Sequence, residues 1–254
     1  SPAGGVSSNV IDLAQWLKLL LADGRHDGRE LIAPAALLPA LRAQSFSAPA
    51  GAIGMRSGFY GYGFGVSVNA NGRPSLGHSG AFVLGAGTSV QILPSADLAI
   101  VVLTNGGPVG AAETIASTFM DVAQYGAVSR DWYALLHPLL MQNYDPVGDL
   151  AGRTAPAAPA APRPPTAYVG RYDSAYFGPA QVAQDGGGLV LTLGPGAIAM
   201  PLSHWDADTF SVAPRSENAP DGSLSSVRFE IRDDRAVSLR IDYLDANGLA
   251  TWTR

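Results

Sequence analysis

At 254 residues, with 47% hydrophobic and 15% charged side chains, the chain can bury one large core or two smaller ones, and general disorder is excluded. The net charge is −5 and the basic residues do not cluster, which excludes a face built to bind nucleic-acid phosphates. Without cysteine there is no disulfide framework, thiolate metal site or Cys nucleophile.

Residues 9–22, NVIDLAQWLKLLLA, read as a helix capped by Asn9 with Asp12 and stopped by Gly24. Val10, Leu13, Leu17, Leu20 and Leu21 form its apolar stripe, with Trp16 beside it. A second helix starts at Pro34 and is shortened or kinked at Pro39. The period then changes. GYGFGVSV (61–68) reads as a glycine-rich strand, Asn71-Gly72 as a turn, and the chain returns into Leu76–Gly80. GTSVQIL (87–93) and LAIVVLT (98–104) are two more strands. The second is apolar throughout and is expected to be buried on both faces. Helices over about 109–125 and 130–142 complete a layered α/β body across residues 1–150.

TAPAAPAAPRPP (154–165) marks a semi-rigid linker over 151–165. Residues 166–254 are all β in texture. Val227, Phe229 and Ile231 alternate with charged residues, and so do Val237, Leu239, Ile241 and Tyr243 with polar ones. About seven antiparallel strands, in a small barrel or sandwich with Trp205, Phe210 and Trp252 in its core, are expected. The fold class is therefore α/β plus all-β. No apolar run reaches the ~20 residues of a membrane span. No basic segment opens the chain, so either an export signal has been removed or the chain begins inside a longer protein.

The chemistry concentrates in LGHSGAFVLG (76–85). A nucleophile elbow would need G-x-S-x-G at a strand-to-helix turn, but the fifth position is Ala81 and no helix follows. A strand edge beside a pocket fits better: its backbone N–H groups can face an oxyanion, glycines allow close approach, and a His can donate or carry charge. A glycine-rich bend without chemistry is the third reading. Ser1 as an N-terminal nucleophile is a further candidate. The four histidines show no paired-ligand spacing, and His204, Asp206 and Asp208 of HWDAD read as a polar loop, so neither a metal nor a cofactor is expected.

Taken together, SPAGGVSSNVIDLAQWLKLLL, YGYGFGVSV, GHSGAFVLG and QILPSADLAIVVLTN resemble the C-terminal part of the serine β-lactamase and penicillin-binding-protein-like hydrolases. That group includes class C β-lactamases, D-aminopeptidases and esterases. The likeness spans roughly residues 1–125. Residues 168–254 resemble a β-rich accessory domain often appended to these enzymes. The resemblance implies an acyl-enzyme mechanism in which S-x-x-K supplies the nucleophile and Y-x-N or S-x-N a relay. A third motif, K-T-G or H-S-G, lines the substrate from an edge strand.

His78-Ser79-Gly80 matches the third motif. The resemblance implies that His78 and Ser79 contact a substrate carboxylate or assist the relay, that Gly80 leaves room, and that the Ala81 N–H is an oxyanion donor. H-S-G also implies ester, amide or D-amino-acid peptide substrates over β-lactams, and a periplasmic or secreted setting. The departure is in the nucleophile. Lys18 is the only lysine and Gln15 stands three residues before it, so S-x-x-K is absent from these residues. Ser7-Ser8-Asn9 spells S-x-N but reads as a helix cap. The expectation is a fragment that depends on an N-terminal hydrolase segment carrying S-x-x-K and Y-x-N, with an unpaired edge beside LAIVVLT. A non-catalytic binding or regulatory module on the same scaffold is the alternative.

Overall fold

The computed structural model describes residues 5–69 and 71–254 and divides into two compact units, Ser1–Asn143 and Tyr144–Arg254. Ser1, and with it the N-terminal-nucleophile reading, lies outside the described residues.

The first unit opens with α1 (Val10–Leu21). The Asn9 side chain accepts from the N–H groups of Ile11 and Asp12 at 2.9 and 3.0 Å and donates to Asp12 Oδ2 at 2.8 Å. Two otherwise orphaned helix N–H groups are thereby satisfied. A short hairpin, β1 (Arg25–His26) and β2 (Arg29–Glu30), leads to α2 (Pro34–Leu41).

Six strands follow in sequential antiparallel order: β3 (Ser45–Ala48), β4 (Gly58–Tyr60), β5 (Gly65–Val68), β6 (Pro74–Phe82), β7 (Ala86–Leu93) and β8 (Leu98–Thr104). The single strand expected over 61–68 is instead the end of a hairpin. Gly61 N–H donates to the Phe64 carbonyl at 2.8 Å, and Gly63 takes φ +89°, a left-handed conformation that breaks the strand. One sheet face carries Val66, Leu76, Val90, Ile92 and Val101 and packs on Leu17 and Leu20 of α1 and Leu37 of α2. Against the other face lies α3 (Ala111–Tyr125), followed by α4 (Trp132–Met141). LAIVVL is not buried on both faces: residues 98–102 are half-buried and Leu103 is exposed. The reason is position. β8 is the last strand of the sheet, and among the described residues nothing pairs with its outer side.

Asp121 of α3 ties the two helices together. It is buried and accepts from the Ser129 N–H (2.8 Å), the Ser129 hydroxyl (2.6 Å) and Trp132 Nε1 (2.7 Å). Burial works to raise its pKa, but these hydrogen bonds and nearby Arg130 outweigh it and hold the carboxyl below the usual range.

The second unit is a closed eight-stranded antiparallel barrel: β9 (Gly170–Ser174), β10 (Gly178–Asp185), β11 (Gly188–Leu193), β12 (Ile198–Asp206), β13 (Thr209–Val212), β14 (Ser225–Arg232), β15 (Arg235–Ile241) and β16 (Thr251–Thr253). The expected seven strands become eight because a ring closes with an even number of antiparallel strands. Trp252 is fully buried among Tyr172, Leu191 and Leu239, and its Nε1 donates to the Gly178 carbonyl at 2.9 Å. Trp205 is only half-buried and stands outside that core. Val237 is bulged out of β15 opposite Glu230 and Ile231 of β14; this shifts the register, so Ala236 faces inward and Val237 is half-buried.

The Pro-rich stretch is tied to the barrel. Ala160 N–H donates to Asp206 (2.8 Å) and its carbonyl accepts from Ala207 (2.9 Å), while Arg163 Nη1 pairs with Asp208 at 3.0 Å. The Tyr168 hydroxyl donates to Asp208 at 2.6 Å; burial, reinforced by that bond, pushes its pKa up to about 12. Further upstream, the Leu150 N–H donates to the Leu224 carbonyl, the Leu224 N–H donates to the Val147 carbonyl, and Asp149 accepts from Ser226 and Arg228, which brings 144–153 into this unit.

Candidate active site

β6 is paired on both sides for only half its length. β7 accompanies it from Leu76 to Phe82, but the pairing with β5 stops where Gly65, the first residue of β5, lies opposite Gly77. From His78 to Phe82, among the described residues, one edge of the strand is open.

Which backbone groups face that edge follows from the two hairpin turns. Asn69 N–H donates to the Arg73 carbonyl across the β5–β6 hairpin at 2.9 Å, so residues 73, 75 and 77 direct their backbone groups toward β5. Gly85 N–H donates to the Phe82 carbonyl across the β6–β7 hairpin at 2.9 Å, so 82, 80 and 78 face β7. Antiparallel strands alternate by residue, and the N–H groups of Ser79 and Ala81 therefore point to the open edge. Gly77 is required here for space: a Cβ would lie 2.9 Å from the Val90 carbonyl oxygen.

The alternation that aligns these amides separates the side chains. His78 shares the α1 face with Leu76, whereas Ser79 shares the α3 face with Ser89 and Gln91. The four residues singled out from sequence, His78, Ser79, Gly80 and Ala81, thus lie on one strand, with the two polar side chains on opposite faces. β6 runs through Ser79 to Phe82 and returns as β7, so Ser79 is not on a strand-to-helix elbow.

His78 is held by its Nδ1, 2.9 Å from the Gly63 carbonyl and 3.1 Å from the Tyr60 hydroxyl. A carbonyl only accepts, so Nδ1 carries a proton and donates it to Gly63. The positive-φ turn at Gly63, which ends β4 and returns the chain into β5, is what presents that carbonyl. On the other face the Ser79 hydroxyl donates to Glu113 Oε1 at 2.5 Å. Glu113 is the third residue of α3, where the positive end of the helix favours a carboxylate. An open trough of about 980 Å³ runs over this part of the sheet, and Tyr60, Ser79, Gln91, Glu113, Ser117 and Arg130 are among its walls.

Tyr60, Gly63 and Glu113 were not identifiable from sequence. YGYGFG reads as strand, and an acidic residue in a first helical turn is ordinary helix chemistry. Among the described residues no three His, Asp or Glu converge as metal ligands, and Asp206 and Asp208 are engaged by the Pro-rich stretch. No described helix is long and apolar enough to cross a membrane.

The Beta-lactamase family matches residues 1–124, and a domain of unknown function, DUF3471, matches residues 154–251. The solved C-terminal domain of penicillin binding protein Rv0907 is 41% identical over 43% of this chain and 99% of that one, with a TM-score of 0.37. The chain belongs to the β-lactamase and penicillin-binding-protein-like family. The octameric penicillin-binding protein homologue from Pyrococcus abyssi is 18% identical over 94% of this chain, with a TM-score of 0.39. SurE, solved with D-Leu, is 20% identical over 94%, with a TM-score of 0.32. This family member spans about half the length of those two proteins, 47% and 48% respectively. No protein of curated function matches it. Within the family assignment, the H-S-G segment of the resemblance is the open half of β6.

Proposed function

We propose that this chain supplies the substrate-binding and oxyanion edge of a serine hydrolase acting on ester, amide or D-amino-acid peptide bonds. The observation that carries the reading is the open half of β6, where the N–H groups of Ser79 and Ala81 point away from β7 beside the trough. S-x-x-K is absent from these 254 residues, so the nucleophile comes from a second polypeptide segment.

In the proposed reaction that segment's serine oxygen bonds to the substrate carbonyl carbon, its proton passing to the segment's lysine. The carbonyl oxygen becomes an oxyanion facing the Ala81 N–H. The alcohol or amine leaves with a proton, and water then attacks the acyl-enzyme and releases the acid. His78 and Ser79 flank the strand as binding groups. The setting proposed is periplasmic or secreted.

The test is complementation. Hydrolysis of a p-nitrophenyl ester is expected only when the chain is mixed with a polypeptide of this family carrying S-x-x-K and Y-x-N. In that mixture Ala81→Pro, which deletes the N–H, is expected to lower kcat by about 10²–10³-fold. Hydrolysis by the mixture that is indifferent to Ala81→Pro would refute the oxyanion role. A second reading, a binding or regulatory module on a β-lactamase-like scaffold, is favoured by the missing S-x-x-K; the same mixture distinguishes it by remaining inactive while ligand still binds.

A further inference from the structure

We infer that Glu113, together with Ser79, makes this edge select ligands bearing an ammonium group over ligands bearing a carboxylate. The inference rests on the reading of β6 as the substrate edge and names the substrate class that edge accepts.

A hydroxyl has one proton and two acceptor positions. At Ser79 the proton is committed to Glu113 Oε1, 2.5 Å away. Toward a ligand Ser79 then presents lone pairs only. It can accept from an ammonium, amide or hydroxyl group, and it has no proton for a carboxylate. Glu113 is the acceptor of the pair, and it sits in the first turn of α3, at the positive end of the helix. Among the described residues it forms no ion pair, so its negative charge is not neutralised within the protein.

Two basic side chains, His78 and Arg130, line the same trough, and neither pairs with Glu113. The His78 side chain leaves the strand on the opposite sheet face, where its Nδ1 is held 2.9 Å from the Gly63 carbonyl. Arg130 lies beside Asp121, about two turns along α3 and roughly 12 Å from Glu113 at 1.5 Å per residue, and its guanidinium lies over the Trp132 ring at 5.0 Å. Asp121, the trough's other carboxylate, is engaged by Ser129 and Trp132. A ligand carboxylate at Ser79 would meet a like charge and no donor. A ligand ammonium would meet one carboxylate and one hydroxyl lone pair. This reverses the carboxylate contact that the resemblance implies for Ser79 and makes Glu113 a specificity-determining residue.

The experiment uses the full 254-residue chain, ¹⁵N-labelled, at low ionic strength, and reads the amide shifts of Ser79 and Ala81. Three probes separate the charges: D-alanine amide carries an ammonium, N-acetyl-D-alanine a carboxylate, and N-acetyl-D-alanine amide neither. D-Alanine amide is expected to bind about tenfold tighter than the neutral probe, the worth of one charge-assisted hydrogen bond, and N-acetyl-D-alanine weakest. In Glu113→Gln the ammonium preference is expected to disappear while Ala81 still shifts. Equal or tighter binding of N-acetyl-D-alanine, or an ammonium preference that survives Glu113→Gln, overturns the inference and leaves the edge reading standing. Shifts at neither amide with any probe overturn the edge reading and the inference with it. Should Glu113→Gln lose the β6–β7 resonances, Ser79→Ala takes its place. There the carboxylate remains and the ammonium preference must persist; its loss overturns the inference.

Discussion

The two units solve the same problem in opposite ways. Both are antiparallel sheets whose strands follow one another along the chain, and both must satisfy rows of backbone donors and acceptors. The barrel closes on itself and gathers eighteen buried residues into one apolar core; the open sheet of the first unit has a buried cluster of five against α1 and α2. On its α3 side it leaves Ile115, Phe119 and Val122 exposed at helical spacing, and β8 ends the sheet with half-buried apolar residues. Closure yields a body with few ways to engage anything through its backbone. An incomplete sheet keeps edges, and the edge of β6 is where the amides and the charged side chains meet. On the function proposed above, unpaired backbone is a liability at β8 and a resource at β6, with the difference set by what flanks it.

That contrast can be broken most severely in the barrel. Trp252→Ala removes the largest fully buried side chain, and leaves the Gly178 carbonyl without its donor. It is expected to cost about 3–5 kcal/mol. Denaturant unfolding followed by far-UV circular dichroism, with the first unit's NMR resonances as a control, checks that the loss is confined to the barrel; equal loss in both units would mean they unfold as one.

A smaller effect is expected at Asp121, which links α3 and α4. Because its folded pKa is below the unfolded value, its contribution is present above about pH 4 and is lost as pH falls through the folded pKa. Asp121→Asn is expected to destabilise the first unit by roughly 1.5–3 kcal/mol at neutral pH and to flatten its acid limb. A stability-versus-pH series on both proteins reads this directly, and parallel acid limbs would contradict it.

The smallest effect on stability, and the sharpest test of the comparison, lies on β8. Leu103 is 36% exposed. Leu103→Lys is expected to change unfolding free energy by no more than about 0.5 kcal/mol while reducing self-association of the chain. Sedimentation velocity over a concentration series would show it. An unchanged sedimentation profile in a protein that does associate would remove β8 from the interface.

The parts of the fold that sequence revealed are those set by local chemistry. Asn9 with Asp12 announces the start of α1, Asn71-Gly72 announces the β5–β6 turn, and the pattern GHSGAF announces a strand with close neighbours. What it concealed depends on distant partners. The burial of LAIVVL turns on whether another strand lies beyond β8, which no pattern within seven residues encodes. The inward set of β15 turns on a bulge at Val237 that is defined only against the partner strand β14, and the Pro-rich stretch gains its place only from Asp206 and Asp208, more than forty residues away in sequence. At the candidate site, the strand that carries His78, Ser79, Gly80 and Ala81 was legible; that His78 and Ser79 leave it on opposite faces was not drawn from the sequence. Glu113 was not legible, since only the packing of α3 on the sheet brings its carboxylate to Ser79.

The barrel also has a direction in time. Its ring is completed where β16 meets β9 through the single pair Thr253 and Asp173, and the Arg254 guanidinium then bonds the Tyr168 and Val169 carbonyls and the Tyr172 hydroxyl. The strands that meet there are the first and last of the barrel to leave the ribosome. A nascent chain can therefore lay down the hairpins from β9 to β15 one after another, yet it holds an unsealed sheet until residue 254 has emerged. The first unit has no such deadline, because each of its strands pairs with one already made.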